Sequence, residues 1–523
     1  MYLHHEQGHA SRCVKYLIVS LMLAWMLACH LALASAPAAA ATSAPRAASA
    51  PTPGPPSSLE LSPCRLEDPA QVSAVQAECG NLSVPEDPSQ PGGRRIHLRV
   101  ARVRAINRRK EPDPLLVLAG GPGMAATAFY ASASFAFERI HRDRDIVLVD
   151  QRGTGLSNPL NCAQDDNDLY HASDAKVTAD AQRCLTTLQK TARVEFYTTS
   201  IAVQDLDQVR DALGYQRINV YGVSYGTRVA QHYARRFPNR TRSVILDGVV
   251  PPQLALGPAT ALNAEQALTR ILERCNHDTE CNRHFGDPSV SYHTLRSSLQ
   301  TKAVPVTLSD PTSGEIEKFE FTSYHLATVL RLGSYTAEQA ALLPLILHGA
   351  TEAPANLLPL ASQFLMVNKT YGDAVAYGMH NSVVCSEDIP YWDLTKVDRA
   401  ALEKTYLGTA QLDGLRSICS VWPHGPVDAD FHEPLRTDVP TLLFSGSDDP
   451  VTPPADAELA KRGFTHSVHV VLQGFGHGQL TAPCVDRVMS SFVRRGAVEG
   501  LDFSCVHNDR PMPFFVTLGG PAP

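Results

Sequence analysis

The 523-residue chain has no Cys-x2-Cys spacing, no internal repeat and little excess charge of either sign. Each absence excludes something. The nearest cysteine couple, Cys275 and Cys281, has no second half with which to build a zinc site, so no metal is expected. A net charge of −7 over this length gives no reason to expect nucleic acid or an anionic membrane surface as partner. With 44% hydrophobic and 19% charged residues, the composition is that of a soluble globular protein able to bury a sizeable core.

The first residues are a different material. Arg12 and Lys15 precede the apolar run YLIVSLMLAWMLACHLALA, which ends in small residues with no strong stop-transfer pattern after it. That layout predicts a secretory signal peptide over 1–34, with Ala32-Leu33-Ala34 or a later Ala-x-Ala as cleavage site. An uncleaved anchor fits less well, and Met26-Leu27-Ala28 is a poor lipobox for lipid attachment at Cys29. Residues 35–58 are rich in Ala, Pro and Ser, a linker that cannot bury a core. Beyond the leader stand ten cysteines in neighbouring couples, an even count that suggests disulfides and an oxidising destination. Pairing in sequence order is the simplest expectation. The protein is expected to be exported, periplasmic or extracellular, with no stable membrane insertion once the signal is cleaved.

Globular sequence begins near Cys64. RRIHLRVARVRA alternates like a half-exposed strand, while PLLVLAGGPG and DIVLVDQRGTG are apolar runs closing in glycines, as buried parallel strands do. A helix over Ile201–Leu213, the strand RINVYG, an amphipathic helix reaching Pro238 and the strand SVILDGVV follow in turn. The alternation argues a doubly wound α/β sheet. It stops at Pro251-Pro252, gives way to mainly helical patterns with a β-prone piece at Val304–Phe321, and returns at VPTLLFSG. The predicted organisation is a core over 59–250 and 439–510, a mostly helical insertion over 251–438, and a tail over 511–523.

Ser224 lies between Gly222 and Gly226 in GVSYG, after a strand and before a helix. This is the setting of a nucleophile elbow, in which a tight turn lifts the hydroxyl above the sheet. A serine needs a base, itself oriented by a carboxylate. Downstream, Asp448 and Asp449 lie just past one strand and His477, between Gly476 and Gly478, just past the next. His466 and His469 lie before or within that last strand and fit less well. Position alone leaves the two aspartates equal. The Gly120-Gly121-Pro122-Gly123 turn lies on the same rim, where an oxyanion donor is needed beside the amide of Tyr225. Arg152 reads as half of a buried ion pair.

In this order, GGPG, DQRGTGLS, GVSYG, DPVTP and GHG resemble the proline iminopeptidase and tripeptidyl aminopeptidase family of α/β-hydrolases, and CGNLSVPED resembles its secreted tripeptidyl aminopeptidase-like branch. The likeness runs from about Cys64 to Cys505. It implies an α/β-hydrolase fold with a helical cap inserted between core strands. It also implies Ser224 as nucleophile, Asp449 as acid, His477 as base, and Gly121 and Tyr225 as oxyanion donors, with no cofactor. Ala119 stands where proline iminopeptidases have a histidine, which argues against that strict specificity.

The expected activity is removal of short peptides, or of a residue, from a free N-terminus, with a small peptide as substrate. A carboxylesterase with the same triad is the alternative. An epoxide or haloalkane hydrolase would need a carboxylate where Ser224 stands. Glu387 and Asp388 in VVCSEDIP are candidates for binding the substrate's ammonium group.

Overall fold

Along the strand Leu115–Leu118, Leu116 and Leu118 face one hydrophobic core and Leu115 and Val117 face another. This computed structural model describes residues 59–68, 72–162, 173–372, 374–507 and 510–521. The predicted signal peptide and linker lie outside them. The same division repeats across the neighbouring strands. Val147, Val220, Val244 and Leu443 share the first core, and Leu148, Tyr221, Ile245 and Phe444 the second. A period of two on a strand buried on both faces produces this pattern, and it explains why these segments read as unbroken apolar runs. Each Leu or Val so buried contributes roughly 1.5–3 kcal/mol.

The strands are β1 (Ser62–Glu67), β2 (Ala74–Pro85), β3 (Arg95–Val103), β4 (Leu115–Leu118), β5 (Ile146–Val149), β6 (Ile218–Val223) and β7 (Thr241–Asp247). After them come β8 (Val304–Ser309) and β9 (Ile316–Phe321), then β10 (Thr441–Gly446) and β11 (Ser467–Leu472). Nine form one sheet in the order β1-β2-β3-β5-β4-β6-β7-β10-β11. Pairing is antiparallel from β1 to β5 and parallel from β5 to β11. The chain has the α/β-hydrolase fold.

Strands β7 and β10 are neighbours in the sheet although nearly two hundred residues separate them, so the insertion leaves and rejoins the core at one place. Its helices Thr260–His277, Ser323–Gly333, Ala337–Thr351 and Leu358–Gly372 build a core of their own around Leu268, Leu330, Leu347 and Phe364. The β-prone piece is the antiparallel hairpin β8–β9. The last part of the insertion behaves differently. Met379, Val383 and Cys385 of helix Tyr377–Glu387, and Trp422, pack into the first core of the sheet. Only the earlier part is a separate layer.

The tail is not idle. Phe514 buries against Ile271, Phe285 and Ala341, and the Arg274 guanidinium lies 4.2 Å from its ring centroid and donates to the Met512 carbonyl at 3.2 Å. The C-terminal segment thus straps onto the insertion.

Disulfides join Cys64–Cys79, Cys162–Cys184, Cys275–Cys281 and Cys385–Cys419, four of the couples expected in sequence order. The fifth expectation is corrected, because Cys484 and Cys505 are free thiols in side-chain contact. Among the described residues, no helix is long and apolar enough to cross a membrane.

Candidate active site

Strand β6 ends at Val223 and a helix begins at Tyr225, with Ser224 held between them at φ 54° and ψ −125°. This conformation costs a non-glycine residue on the order of 1–3 kcal/mol and persists only where surroundings enforce it. A Cβ on Gly222 would collide with the Gly226 carbonyl, and one on Gly226 with the Leu118 and Ala119 carbonyls of the adjacent strand end. The glycines are therefore required by close backbone approach. The Ser224 N–H donates to the Asp247 carbonyl at 2.9 Å, and its own carbonyl accepts from Thr227 N–H and Oγ1 at 2.9 and 2.6 Å.

Asp449, the candidate acid, lies past β10. Asp449 Oδ1 accepts from the N–H groups of Val451 and Thr452 at 2.7 and 2.9 Å, and Oδ2 accepts from Thr452 Oγ1 and His477 Nδ1, both at 2.8 Å. The side chain is fully buried. Asp448 points elsewhere, toward Ser447 Oγ at 3.0 Å and toward Arg270 and Arg274 of the insertion at 3.8 and 3.9 Å. Geometry thus separates two neighbours that position in the sequence left equal.

His477 follows β11, and its side chain is only 8% exposed. Its backbone N–H donates to the Tyr335 carbonyl at 2.8 Å, and the Tyr335 ring meets its imidazole edge-on with centroids 5.1 Å apart. Burial opposes the charged ring, but the Asp449 carboxylate, with Asp247 behind it, outweighs burial and holds the imidazole above its ordinary pKa. With Nδ1 donating to Asp449, Nε2 of the neutral ring is the acceptor left for a proton. His466 and His469 lie outside this group. His469 instead contacts Glu458 and Ser445 at 2.6 and 3.0 Å.

The glycine turn passes beside Ser224. A Cβ on Gly120 would stand 3.1 Å from Ser224 Cβ and 3.7 Å from Oγ. Gly121 follows at φ 109°, which only glycine adopts readily. Tyr225 is the first helical residue, so its N–H has no acceptor within the helix. His380, from the helix Tyr377–Glu387, reaches the Pro122 carbonyl at 3.4 Å, and burial depresses its pKa.

Glu387 and Asp388, the candidates for the substrate's ammonium group, lie inside the protein. Both are 0% exposed and already engaged. Glu387 accepts from Thr199 N–H and Oγ1 at 2.6 and 2.8 Å, and Thr199 Oγ1 in turn meets the Tyr225 hydroxyl at 2.6 Å. Asp388 binds Arg228 through both oxygens at 3.2 and 3.0 Å and accepts from Leu256 N–H. They tie the elbow helix to the insertion. Arg152 forms the expected buried ion pair, with Asp205 at 2.7 and 2.8 Å.

Thr452, Tyr335 and Asp247 escaped the sequence reading. Thr452 lies inside the DPVTP motif and could have been flagged there, whereas Tyr335 comes from the insertion and carries no local signal. Among the described residues, no group of three or more His, Cys, Asp or Glu side chains could hold a metal.

The chain is similar to several known proteins. Residues 113–274 match the alpha/beta hydrolase fold family and residues 404–505 the TAP-like protein family. Serine protease Hip1 of Mycobacterium tuberculosis is 26% identical over 86% of this chain and 91% of its own length. A tripeptidyl aminopeptidase of Streptomyces coelicolor is 25% identical over 83% of this chain and 84% of its own. A proline iminopeptidase of Neisseria gonorrhoeae is 28% identical over a shorter stretch, 29% of this chain and 39% of its own. An elbow serine with a buried Asp–His pair on this sheet defines a serine hydrolase of the α/β-hydrolase fold. Within that class the chain resembles the tripeptidyl aminopeptidases over most of its length and a proline iminopeptidase over part of it.

Proposed function

We propose that the protein is an exported serine aminopeptidase that removes short peptides, or a residue, from a free N-terminus through an acyl-enzyme. The observation that carries this reading is the fixed pair of Asp449 and His477 on the rim that also carries Ser224, in a chain resembling Hip1 and the tripeptidyl aminopeptidases over most of its length. Ser224 Oγ attacks the scissile carbonyl while His477 Nε2 takes its proton. Asp449 orients the ring and stabilises the imidazolium, which then protonates the leaving amine. The N–H groups of Tyr225 and Gly121 receive the developing oxyanion. Water, activated by the same histidine, completes the turnover.

The insertion lies over this rim through Tyr335 and His380, so selection of the peptide is assigned to it. Four disulfides and the apolar leader support export. The test is release of a chromogenic amide from a short Ala/Pro peptide, with its N-terminus free and then acetylated, and with Ser224→Ala as blank. Activity on the free peptide, lost on acetylation, is expected. Ester turnover through Ser224 with both amides inert would replace the aminopeptidase by a carboxylesterase.

A further inference from the structure

Asp247 is bonded both to the backbone of Ser224 and to the loop that carries His477. It is the last residue of β7 and is fully buried. Its backbone carbonyl accepts the Ser224 N–H at 2.9 Å. Its side chain accepts the Gln479 N–H through both oxygens, at 3.0 and 2.9 Å, two residues beyond His477. The Tyr221 hydroxyl, from the strand that carries the nucleophile, donates to the same carboxylate at 2.8 Å. One residue thereby joins the end of β6 and its elbow to the histidine loop, which lies 232 residues further along the chain from Asp247.

From this geometry we infer that Asp247 is a positioning residue of the reaction: it locks the histidine loop against the elbow and sets a second negative charge behind the His477 imidazolium. The inference rests on the serine-hydrolase reading of the site. A carboxylate suits the place because it accepts from Gln479 and Tyr221 at once, with no donor of its own to satisfy. The charged groups facing His477 are Asp449, Asp247 and Arg331, and those facing Asp247 are His477, Asp449 and the Tyr221 phenol. Burial raises the Asp247 pKa to about 6, against the pull of the Gln479 and Tyr221 hydrogen bonds and of the His477 charge. Each ionised group favours the charged form of the other.

The test compares the full-length protein with Asp247→Asn and Tyr221→Phe, reading kcat and KM for the chromogenic peptide amide across pH. Asp247→Asn keeps an acceptor for Gln479 but loses the charge. It is expected to lower kcat roughly 10- to 100-fold at little change in KM, as slight misplacement of catalytic groups does. Its acid limb should move to lower pH, because the imidazolium loses a stabilising neighbour. Tyr221→Phe removes a donor that favours the ionised carboxylate, so less negative charge faces the imidazolium and its acid limb should move the same way, to lower pH, by a smaller amount. A folded Asp247→Asn with wild-type kcat and an unmoved limb overturns the inference. Should that variant not fold, an unmoved limb in Tyr221→Phe overturns it instead. Ser224→Ala separates the two readings. Full activity there removes the serine-hydrolase reading itself, whereas an inactive Ser224→Ala beside an unaltered Asp247→Asn removes the role of Asp247 alone.

Discussion

The backbone N–H of His477 donates to the carbonyl of Tyr335 at 2.8 Å, so this histidine is held by the insertion as well as by the core. The carbonyls of Ser334 and Tyr335 also lie against Gly476, where a Cβ would collide with them. The loop that carries His477 is thus shaped on one side by Asp449 and Thr452 and on the other by the end of helix Ser323–Gly333.

Tyr335→Ala keeps that backbone bond and removes the ring edge that meets the imidazole. Aromatic pairs of this kind contribute about 0.5–1.5 kcal/mol, so kcat/KM should fall up to roughly tenfold while the thermal midpoint moves little. A steady-state assay of the purified variant checks this. An unchanged kcat/KM would mean that the ring does not help to orient His477.

Asp449 and Asp448 should separate cleanly. Asp449→Asn removes the carboxylate that fixes the tautomer of His477 and should cost on the order of 10⁴ in kcat with the fold intact. Asp448→Asn should keep kcat within a few-fold, because its carboxylate faces Arg270 and Arg274 on the insertion and not His477. Burial holds the Asp448 pKa above its ordinary value despite those arginines, so loss of the charge should leave stability near neutral pH unchanged or higher. Kinetics and thermal unfolding of the two variants decide it, and reversed phenotypes would move the acid to Asp448.

How much of this was readable along the chain follows from the range of the contacts involved. The elbow was legible because Gly222, Ser224 and Gly226 act within one turn, between a strand and a helix that each carry their own periodicity. The loops of Asp449 and His477 were legible as strand ends, yet choosing between Asp448 and Asp449 took either a family resemblance or the hydrogen bonds. Asp388 looked available because its sequence neighbours say nothing of Arg228, its partner 160 residues away. The same holds for Glu387 with Thr199 and for Tyr335 with His477. Strands β1 and β2 escaped as well, since one face of each is half exposed and their apolar pattern is weak.

Cysteine chemistry offers an independent check. Alkylation of the denatured chain without reductant should label Cys484 and Cys505, while the eight cysteines of the four disulfides react only after reduction. Mass mapping of residues 59–521 reads this directly. Absence of label at both positions would mean that the two adjacent thiols close a fifth bridge.

Glu387 ties pH to stability. Burial raises its pKa from the ordinary 4.5 to about 7, against the favourable charge of Arg228 and with Asp388 adding to the rise. Between those values the folded protein keeps a proton that the unfolded chain releases. The contribution of this group is therefore fully present below about pH 4.5 and is lost as pH rises through about 7. Glu387→Gln retains an acceptor for the Thr199 N–H and does not titrate. Its stability relative to wild type should improve between about pH 5 and pH 8, by up to about 3 kcal/mol. Urea unfolding of both proteins across that range checks the sign, and parallel curves would mean that Glu387 does not change charge there. The same variant bears on recognition of the substrate. With Glu387 enclosed behind Thr199 and Tyr225, KM should change equally for free and acetylated peptides. A rise in KM confined to the free peptide would return Glu387 to the binding site.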